Sequence, residues 1–180
     1  MLPTGKRESD FGGFSFEKDS IEFAPRNLSD EQKKAIESIV NNKNTNHQFH
    51  YLYGSTGSGK TEVFLQVAEH FLAQGKGVIY LVPEIGLTHQ VIEAVIRRFG
   101  QTAAVLHSGL TGSQKLTEWH RILKKEARIV IGARSGVFAP VPDLGLIIID
   151  EEHDASYKAG NSPRYSARQI AMKRCQNLHI

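Results

Sequence analysis

The chain has 180 residues, of which 40% are apolar, and a formal net charge of +3. This length predicts one domain, and no apolar run reaches the roughly 18 residues that a membrane helix needs. The single cysteine, Cys175, excludes an internal disulfide and, with no signal-peptide pattern at the start, predicts a cytoplasmic protein. The net charge is too small to predict nucleic-acid binding by itself.

Residues 1–27 show little periodicity, and we predict a linker or N-terminal tail there, with one edge strand at residues 21–23. From residue 28 the pattern becomes regular and predicts one domain over residues 28–180. Apolar positions at helical spacing predict a helix over residues 29–42. A short strand at residues 49–53, a glycine-rich turn and a helix over residues 60–73 follow, and Gly75 is expected to cap that helix.

Strands and helices alternate through the rest of the chain. The predicted strands cover residues 78–82, 103–106, 129–131 and 146–149, and the predicted helices cover residues 87–99, 113–125 and 167–176. Such alternation predicts βαβ units and an α/β fold with a central, mainly parallel sheet. Apolar strands such as residues 146–149 fit a sheet that is covered on both faces, with ligands beyond the carboxyl ends of its strands.

A phosphate-binding loop is predicted where the helix over residues 60–73 begins. The pattern G-x-x-x-x-G-K-[ST] is matched in full by Gly54, Ser55, Thr56, Gly57, Ser58, Gly59, Lys60 and Thr61. The glycines let backbone N–H groups point at phosphate oxygens, and the helix presents its positive end to the same anion. Lys60 would bind the β- and γ-phosphates, and the Thr61 hydroxyl would ligate Mg²⁺. The loop therefore predicts ATP and Mg²⁺ as cofactors.

An acidic segment follows the apolar strand at residues 146–149. In such a position Asp150 is expected to hold Mg²⁺ through water, and Glu151 to orient the water that attacks the γ-phosphate. Lys60, Asp150 and Glu151 are thus the candidate catalytic residues, with Glu152 as the next candidate for the role of Glu151. A charged loop that merely caps a strand is the alternative for this segment, and for His153 the alternative is an ordinary loop histidine, as lone histidines often are.

A family resemblance rests on five segments: GSTGSGKTEVFLQ, YLVPEIGLTHQ, AVLHSGL, RIVIGARSGVFAPVPDLGLIIIDEEHDASYK and PRYSAR. Together they resemble the helicase core of the replication-restart DNA helicases of superfamily 2, from about residue 28 to residue 174. The resemblance implies a three-layer RecA-like P-loop NTPase domain, the first motor domain of a bacterial, fork-associated enzyme. It implies ATP-driven translocation and unwinding at stalled forks. The implied partners are single-stranded and forked DNA, other primosome proteins and single-stranded-DNA-binding protein, with no membrane.

The resemblance also implies roles for residues outside the phosphate loop. Gln32 corresponds to a glutamine that reads adenine, although Ser29 and Gln32 also have the spacing of a helix capping box, and both can hold. DNA contacts are implied for Gly86, Thr88, Arg134, Ser135, Tyr157, Lys158 and Arg164, and a coupling role for His153. An ordinary surface arginine remains open for Arg134, as does packing against the domain for the loop tyrosines.

The sequence departs from the family pattern in two places and lacks several of its parts. Ala133 stands where threonine is usual, and Ser166 where histidine is expected. The second motor domain, the cysteine-rich zinc element and the N-terminal DNA-binding domain have no counterpart, so we interpret the chain as an excised domain. One cysteine cannot form a four-ligand zinc site, and zinc is expected only downstream.

Two other classes of function remain compatible with the motifs. A small P-loop kinase would share the phosphate loop but not the acidic segment and the basic, aromatic loop after it. A nucleotide-sensing, DNA-binding module would share both and never hydrolyse ATP. ATPase assays with and without single-stranded DNA separate these classes from a DNA translocase.

Overall fold

The computed structural model describes residues 9–11, 14–16, 27–41, 49–55, 57–84 and 89–180. Within these ranges the helices are α1 (Asp30–Val40), α2 (Lys60–Ala73), α3 (His89–Phe99), α4 (Gly112–Leu123) and α5 (Ala167–Leu178). The strands are β1 (Ser9–Phe11), β2 (Phe14–Phe16), β3 (Gly77–Leu81), β4 (Ala103–Leu106), β5 (Ile129–Gly132) and β6 (Leu144–Ile149). Short 3₁₀ turns lie at Gly100–Thr102, Arg134–Phe138 and Ala155–Tyr157.

The domain is built on a four-stranded parallel sheet in the order β4-β5-β3-β6. Successive side chains of a strand point to opposite faces. The side chains of β3 therefore pack alternately in two buried hydrophobic clusters, one on each face of the sheet. Val78 and Tyr80 pack with residues of α2 and α3, while Ile79 and Leu81 pack with residues of α4 and α5. The predicted α/β fold with helices on both faces of a parallel sheet is therefore confirmed.

Local sequence signals account for most of the element boundaries. Ser29 and Thr111 each begin a helix with a complete capping box, which satisfies backbone donors that the first turn leaves unpaired. Helix α2 covers the predicted residues, and Gly75 follows it in the left-handed conformation at φ 78°. The strand at Ala103–Leu106 has its predicted bounds, and the other predicted helices and sheet strands differ from the observed ones by at most two residues at an end, apart from the segment at residues 49–53.

The prediction of a strand at residues 49–53 is wrong, because these residues form no strand. Phe49, Tyr51 and Tyr53 are 57%, 79% and 91% exposed, so their alternating pattern faces solvent and no buried sheet face. No backbone hydrogen bond within the described residues joins this segment to the sheet. A period-two pattern favours a strand only where a neighbouring edge supplies backbone partners.

A hairpin lies inside the predicted N-terminal tail. Strands β1 and β2 pair antiparallel, with Ser9 opposite Phe16, and the sequence places Gly12 and Gly13 between them. We did not predict this hairpin, although a two-residue Gly-Gly connection is a known signal for one. The edge strand that we predicted at residues 21–23 lies outside the described residues. No helix in the described ranges is long and apolar enough to cross a membrane.

Candidate nucleotide-binding site

The phosphate loop has the backbone geometry that its glycines permit. Gly57 and Gly59 both have φ 81°, and Gly59 is the residue from which α2 begins. A Cβ on Gly54 would lie 2.6 Å from the Ser58 Oγ, so a larger residue there would disturb the loop. The loop thus curls around the N-terminus of α2, where the helix dipole and unpaired N–H groups favour an anion. Thr56 lies outside the described residues.

Lys60 lies across the mouth of this loop. Its Nζ donates to the carbonyl oxygens of Gly54 at 2.8 Å and Ser55 at 3.1 Å. The same nitrogen is 4.0 Å from the Glu151 Oε1. The fold therefore brings together the phosphate loop and the acidic segment. In the chain, Lys60 and Asp150 are ninety residues apart.

Gln32 connects α1 to the phosphate loop. Its Oε1 accepts from the Ser29 backbone N–H at 2.9 Å, and its own backbone N–H donates to the Ser29 Oγ at 3.2 Å. The predicted capping box is therefore confirmed. The Gln32 Nε2 donates to the Ser58 carbonyl at 3.2 Å, a contact that the sequence did not indicate. The adenine-reading role of Gln32 stays a prediction.

Asp150 stands one residue beyond β6 with both carboxylate oxygens bonded. Its Oδ1 accepts from the Glu151 N–H, and its Oδ2 accepts from the Tyr80 hydroxyl, each at 2.9 Å. Burial raises the pKa of Asp150, and the hydrogen bond from Tyr80 opposes that shift. The carboxylate is therefore held in one orientation in a partly desolvated position.

Tyr80 is a functional candidate that we did not predict from the sequence. It lies on β3 and is fully buried. Burial, followed by the charge of Asp150, holds the pKa of Tyr80 well above its usual range, so the hydroxyl is a hydrogen-bond donor at neutral pH. In the sequence, the only sign of this role is a tyrosine hydroxyl inside the otherwise apolar run of β3.

The two glutamates of the acidic segment face different partners. Glu151 has φ 45°, a left-handed conformation that is costly for a residue with a side chain. Its Oε1 faces Lys60, and its Oε2 lies 3.7 Å from the His153 Nε2. Glu152 instead accepts from the Arg168 guanidinium of α5 at 2.6 Å. The turn at Glu151 therefore directs one carboxylate to the phosphate loop and the next away from it.

Tyr157 does not fit the DNA contact that the family resemblance implies for it. The residue is 3% exposed, and its hydroxyl donates to the Asp150 carbonyl at 2.7 Å. Burial and the nearby charge of Asp150 raise the pKa of Tyr157. The ring is enclosed by the core cluster on the α4 and α5 face of the sheet, so it is inaccessible to a base. Lys158 and Arg164 in the same region are exposed.

Arg134 binds the loop that follows the acidic segment. Its Nη1 donates to the carbonyl oxygens of Ser156 at 3.0 Å and Lys158 at 2.9 Å. Its guanidinium carbon lies 5.6 Å from the centre of the Tyr165 ring, within the range of a cation–π contact. The interpretation of Arg134 as an ordinary surface arginine is therefore wrong, whereas its DNA contact stays a prediction.

The remaining predicted DNA and coupling residues are more dispersed. Ser135 is exposed beside Arg134, and His153 is exposed next to Glu151. Gly86 and Thr88 lie outside the described residues. Their roles stay predictions.

An ion-pair cluster next to the site was also not predicted. Arg98 on α3 contacts Glu62 and Glu69 of α2, each at 2.7 Å. Glu62 directly follows Thr61, so this cluster fixes the first turn of α2 against α3. Hydrogen bonding to Glu69 raises the pKa of Arg98. The sequence separation of Arg98 from Glu62 and Glu69 does not indicate that these residues form ion pairs.

The oxygen groups at this site fit magnesium. Thr61 offers a hydroxyl and Asp150 a carboxylate, which are ligands that this cation prefers, and Mg²⁺ is usually bound by one or two carboxylates together with substrate phosphates. Within the described residues, no group of three or more His, Cys, Asp or Glu side chains could hold a metal alone. Water and the phosphates of a bound nucleotide would supply the remaining oxygen ligands of a magnesium ion here.

Comparison with known proteins relates the chain to helicases. The DEAD/DEAH box helicase family model matches residues 29–178. The replication restart protein PriA of Treponema pallidum (strain Nichols) is 54% identical over 179 residues, which are 99% of this chain and 27% of that protein. The PriA proteins of Bacillus subtilis (strain 168) and Chlamydia pneumoniae are 50% and 45% identical, over 85% and 87% of this chain and 19% and 21% of their own lengths. The chain thus spans less than a third of each of these relatives.

Proposed function

The chain belongs to the DEAD/DEAH box helicase family, and we propose that it is the ATP-binding motor domain of a DNA helicase of the replication-restart type. The observation that carries this proposal is the approach of Lys60 to Glu151 at 4.0 Å across the mouth of a complete phosphate loop. Replication restart is proposed from the similarity to PriA proteins. Translocation and unwinding at stalled forks are proposed for a longer protein with a second motor domain, and its proposed partners are primosome proteins and single-stranded-DNA-binding protein.

Nucleotide binding is proposed to use the phosphate loop and Lys60. The Lys60 ammonium contacts two carbonyl oxygens of the loop, and phosphate oxygens would replace them as its partners. Thr61 and Asp150 would hold Mg²⁺, which when bound would neutralise charge on the phosphates. Gln32, which touches the loop through Ser58, is proposed to contact the adenine as well.

Hydrolysis is proposed to depend on Glu151. Its carboxylate faces the phosphate loop, whereas that of Glu152 is occupied by Arg168. A carboxylate placed beyond the γ-phosphate can accept a proton from the attacking water and orient it. Asp150 remains beside the metal position through its bonds to Tyr80 and to the Glu151 N–H.

DNA binding is proposed for the surface beyond the acidic segment. Lys158 and Arg164 are exposed there, and such cations bind phosphates without reading sequence. Ser135, Arg134, Gly86 and Thr88 are proposed to extend this contact, and His153 to couple it to the nucleotide site. Binding of this kind weakens steeply as salt increases, because it releases counterions.

Lys60→Ala tests the nucleotide site. We expect calorimetry with ADP and MgCl₂ to show at least a tenfold loss of affinity, because an ammonium group that binds charged phosphates contributes roughly 1.5–3 kcal/mol. Lys33→Ala is the matched control, since Lys33 lies on α1 and pairs with Asp30. Unchanged affinity in Lys60→Ala would contradict the assignment. In the longer protein, phosphate release that single-stranded DNA does not stimulate would contradict the translocase function.

A further inference from the structure

Tyr80 presents a buried polar group within an apolar strand. Its side chain is fully enclosed between Val78 and Val82 on the face of the sheet that α2 covers. Burying a hydroxyl costs free energy unless it is hydrogen-bonded. Phenylalanine would fill the same space without that cost, so a buried tyrosine here requires a hydrogen-bond partner for its hydroxyl.

The register of the sheet directs this hydroxyl at the proposed metal site. Tyr80 is paired with Ile148 of β6, and Asp150 lies two residues further along, hence on the same face. Helix α2 covers that face, and its Phe64 ring lies 6.0 Å from the Tyr80 ring. Tyr80 therefore lies beneath Asp150, one of the two proposed magnesium ligands.

The hydroxyl contacts the proposed carboxylate ligand. It donates to the Asp150 Oδ2 at 2.9 Å. The other carboxylate oxygen of Asp150 accepts from the Glu151 N–H. Tyr157 bonds the Asp150 backbone carbonyl and leaves the carboxylate untouched. Within the described residues, Tyr80 is thus the side chain that donates a hydrogen bond to the Asp150 carboxylate.

We infer that Tyr80 is a positioning residue of the magnesium site, where its hydroxyl fixes the orientation of the Asp150 carboxylate. The inference rests on the proposed function, since it concerns the same nucleotide site. Mg²⁺ demands near-octahedral geometry at short distances, so the relative placement of two ligands affects its binding. Groups that orient metal ligands typically change metal affinity 10–100-fold when they are removed.

Tyr80→Phe tests this inference, because it removes the hydroxyl and keeps the ring. ADP is titrated by calorimetry into the 180-residue protein in a series of MgCl₂ concentrations, and separately in EDTA. We expect the MgCl₂ concentration for half-maximal enhancement of ADP binding to rise about tenfold. ADP affinity in EDTA should stay unchanged, because the phosphate loop is intact. Tyr157→Phe is the matched control, and its MgCl₂ requirement should stay within about threefold of the parent's, below the 10–100-fold range of such ligand-orienting groups.

A double-mutant cycle separates positioning from packing. If Tyr80 acts through the carboxylate, Tyr80→Phe should have no further effect on the MgCl₂ requirement in an Asp150→Asn background. An unchanged requirement in Tyr80→Phe alone, or an equal loss of ADP affinity in EDTA, would overturn the inference and leave the proposed function standing. Failure of the parent protein to bind ADP even at saturating MgCl₂ would overturn both. Thermal unfolding of each variant shows that the proteins compared are folded.

Discussion

Replacing Glu151 with glutamine isolates the chemical step of the proposed reaction. The change conserves the size of the side chain and removes its charge, while the Glu151 N–H that bonds Asp150 remains. The Glu151 side chain is 48% exposed, so the fold should be unaffected. Loss of a positioned proton acceptor typically lowers a rate by roughly 10²–10⁴. At about 1.36 kcal/mol per factor of ten, the barrier should rise by about 2.7–5.4 kcal/mol.

Glu152→Gln provides a control of the same chemistry at the adjacent position. It should break the ion pair with Arg168, in which the Glu152 and Arg168 side chains are 28% and 61% exposed. Such pairs contribute about 0.2–1 kcal/mol to stability, and turnover should be unaffected. The assay is single-turnover hydrolysis of radiolabelled ATP by the longer protein with its second motor domain, with protein in excess, supported by ADP calorimetry on both variants. A Glu151→Gln rate near that of the parent, or an equal loss in Glu152→Gln, would refute the reasoning.

Three further predictions follow from the loop, the arginines and the cysteine. Gly59→Ala should lower urea-unfolding stability and ADP affinity more than Gly57→Ala. Both glycines have φ 81°, and a side chain at either costs about 1–2 kcal/mol in strain. Only at Gly59 would the added Cβ, 2.3 Å from the Gln32 Nε2, displace that amide from its hydrogen bond to the Ser58 carbonyl. Equal losses in the two variants would contradict this. The 180-residue chain should release phosphate slowly with little stimulation by single-stranded DNA, because an arginine from a facing domain typically supplies roughly 10³–10⁵ in rate. Robust stimulation would show that an arginine of this chain completes the site. Burial raises the pKa of Cys175, so at pH 8 iodoacetamide should alkylate this thiol more slowly in the native than in the unfolded protein. The native rate should rise as the pH increases. Equal rates in the native and unfolded protein would refute this.

The parts of the fold that local patterns determine could be predicted from the sequence. Continuous apolar runs predicted β3 and β6, and the glycines at either end fixed the bounds of α2. Strand order could not be predicted, because it depends on which strands meet in space. The segment at residues 49–53 was mispredicted for the same reason, since its alternating pattern does not show whether a neighbouring strand is present to pair with it.

The site was predictable where its residues are consecutive in the chain. The phosphate loop and the acidic segment each carry their chemistry within a few positions, and the strand-end rule placed them together. Tyr80 contacts Asp150 across seventy residues, and nothing local marks that pair. The error at Tyr157 has a similar origin, because an aromatic residue in a polar loop is expected to be exposed until α5 is seen to cover it.

The position of β3 in the sheet has a consequence for how the protein is made. This strand leaves the ribosome before both of its neighbours, since Val78 is paired with Ile129 of β5 and Leu146 of β6. Until those residues are synthesised, this largely apolar strand has no partner on either edge, which is the condition that favours aggregation of nascent chains. Closing such long loops also slows folding. The sheet can therefore be completed only after Ile149 has been synthesised, and a chaperone that shields apolar strands should raise the yield of folded protein.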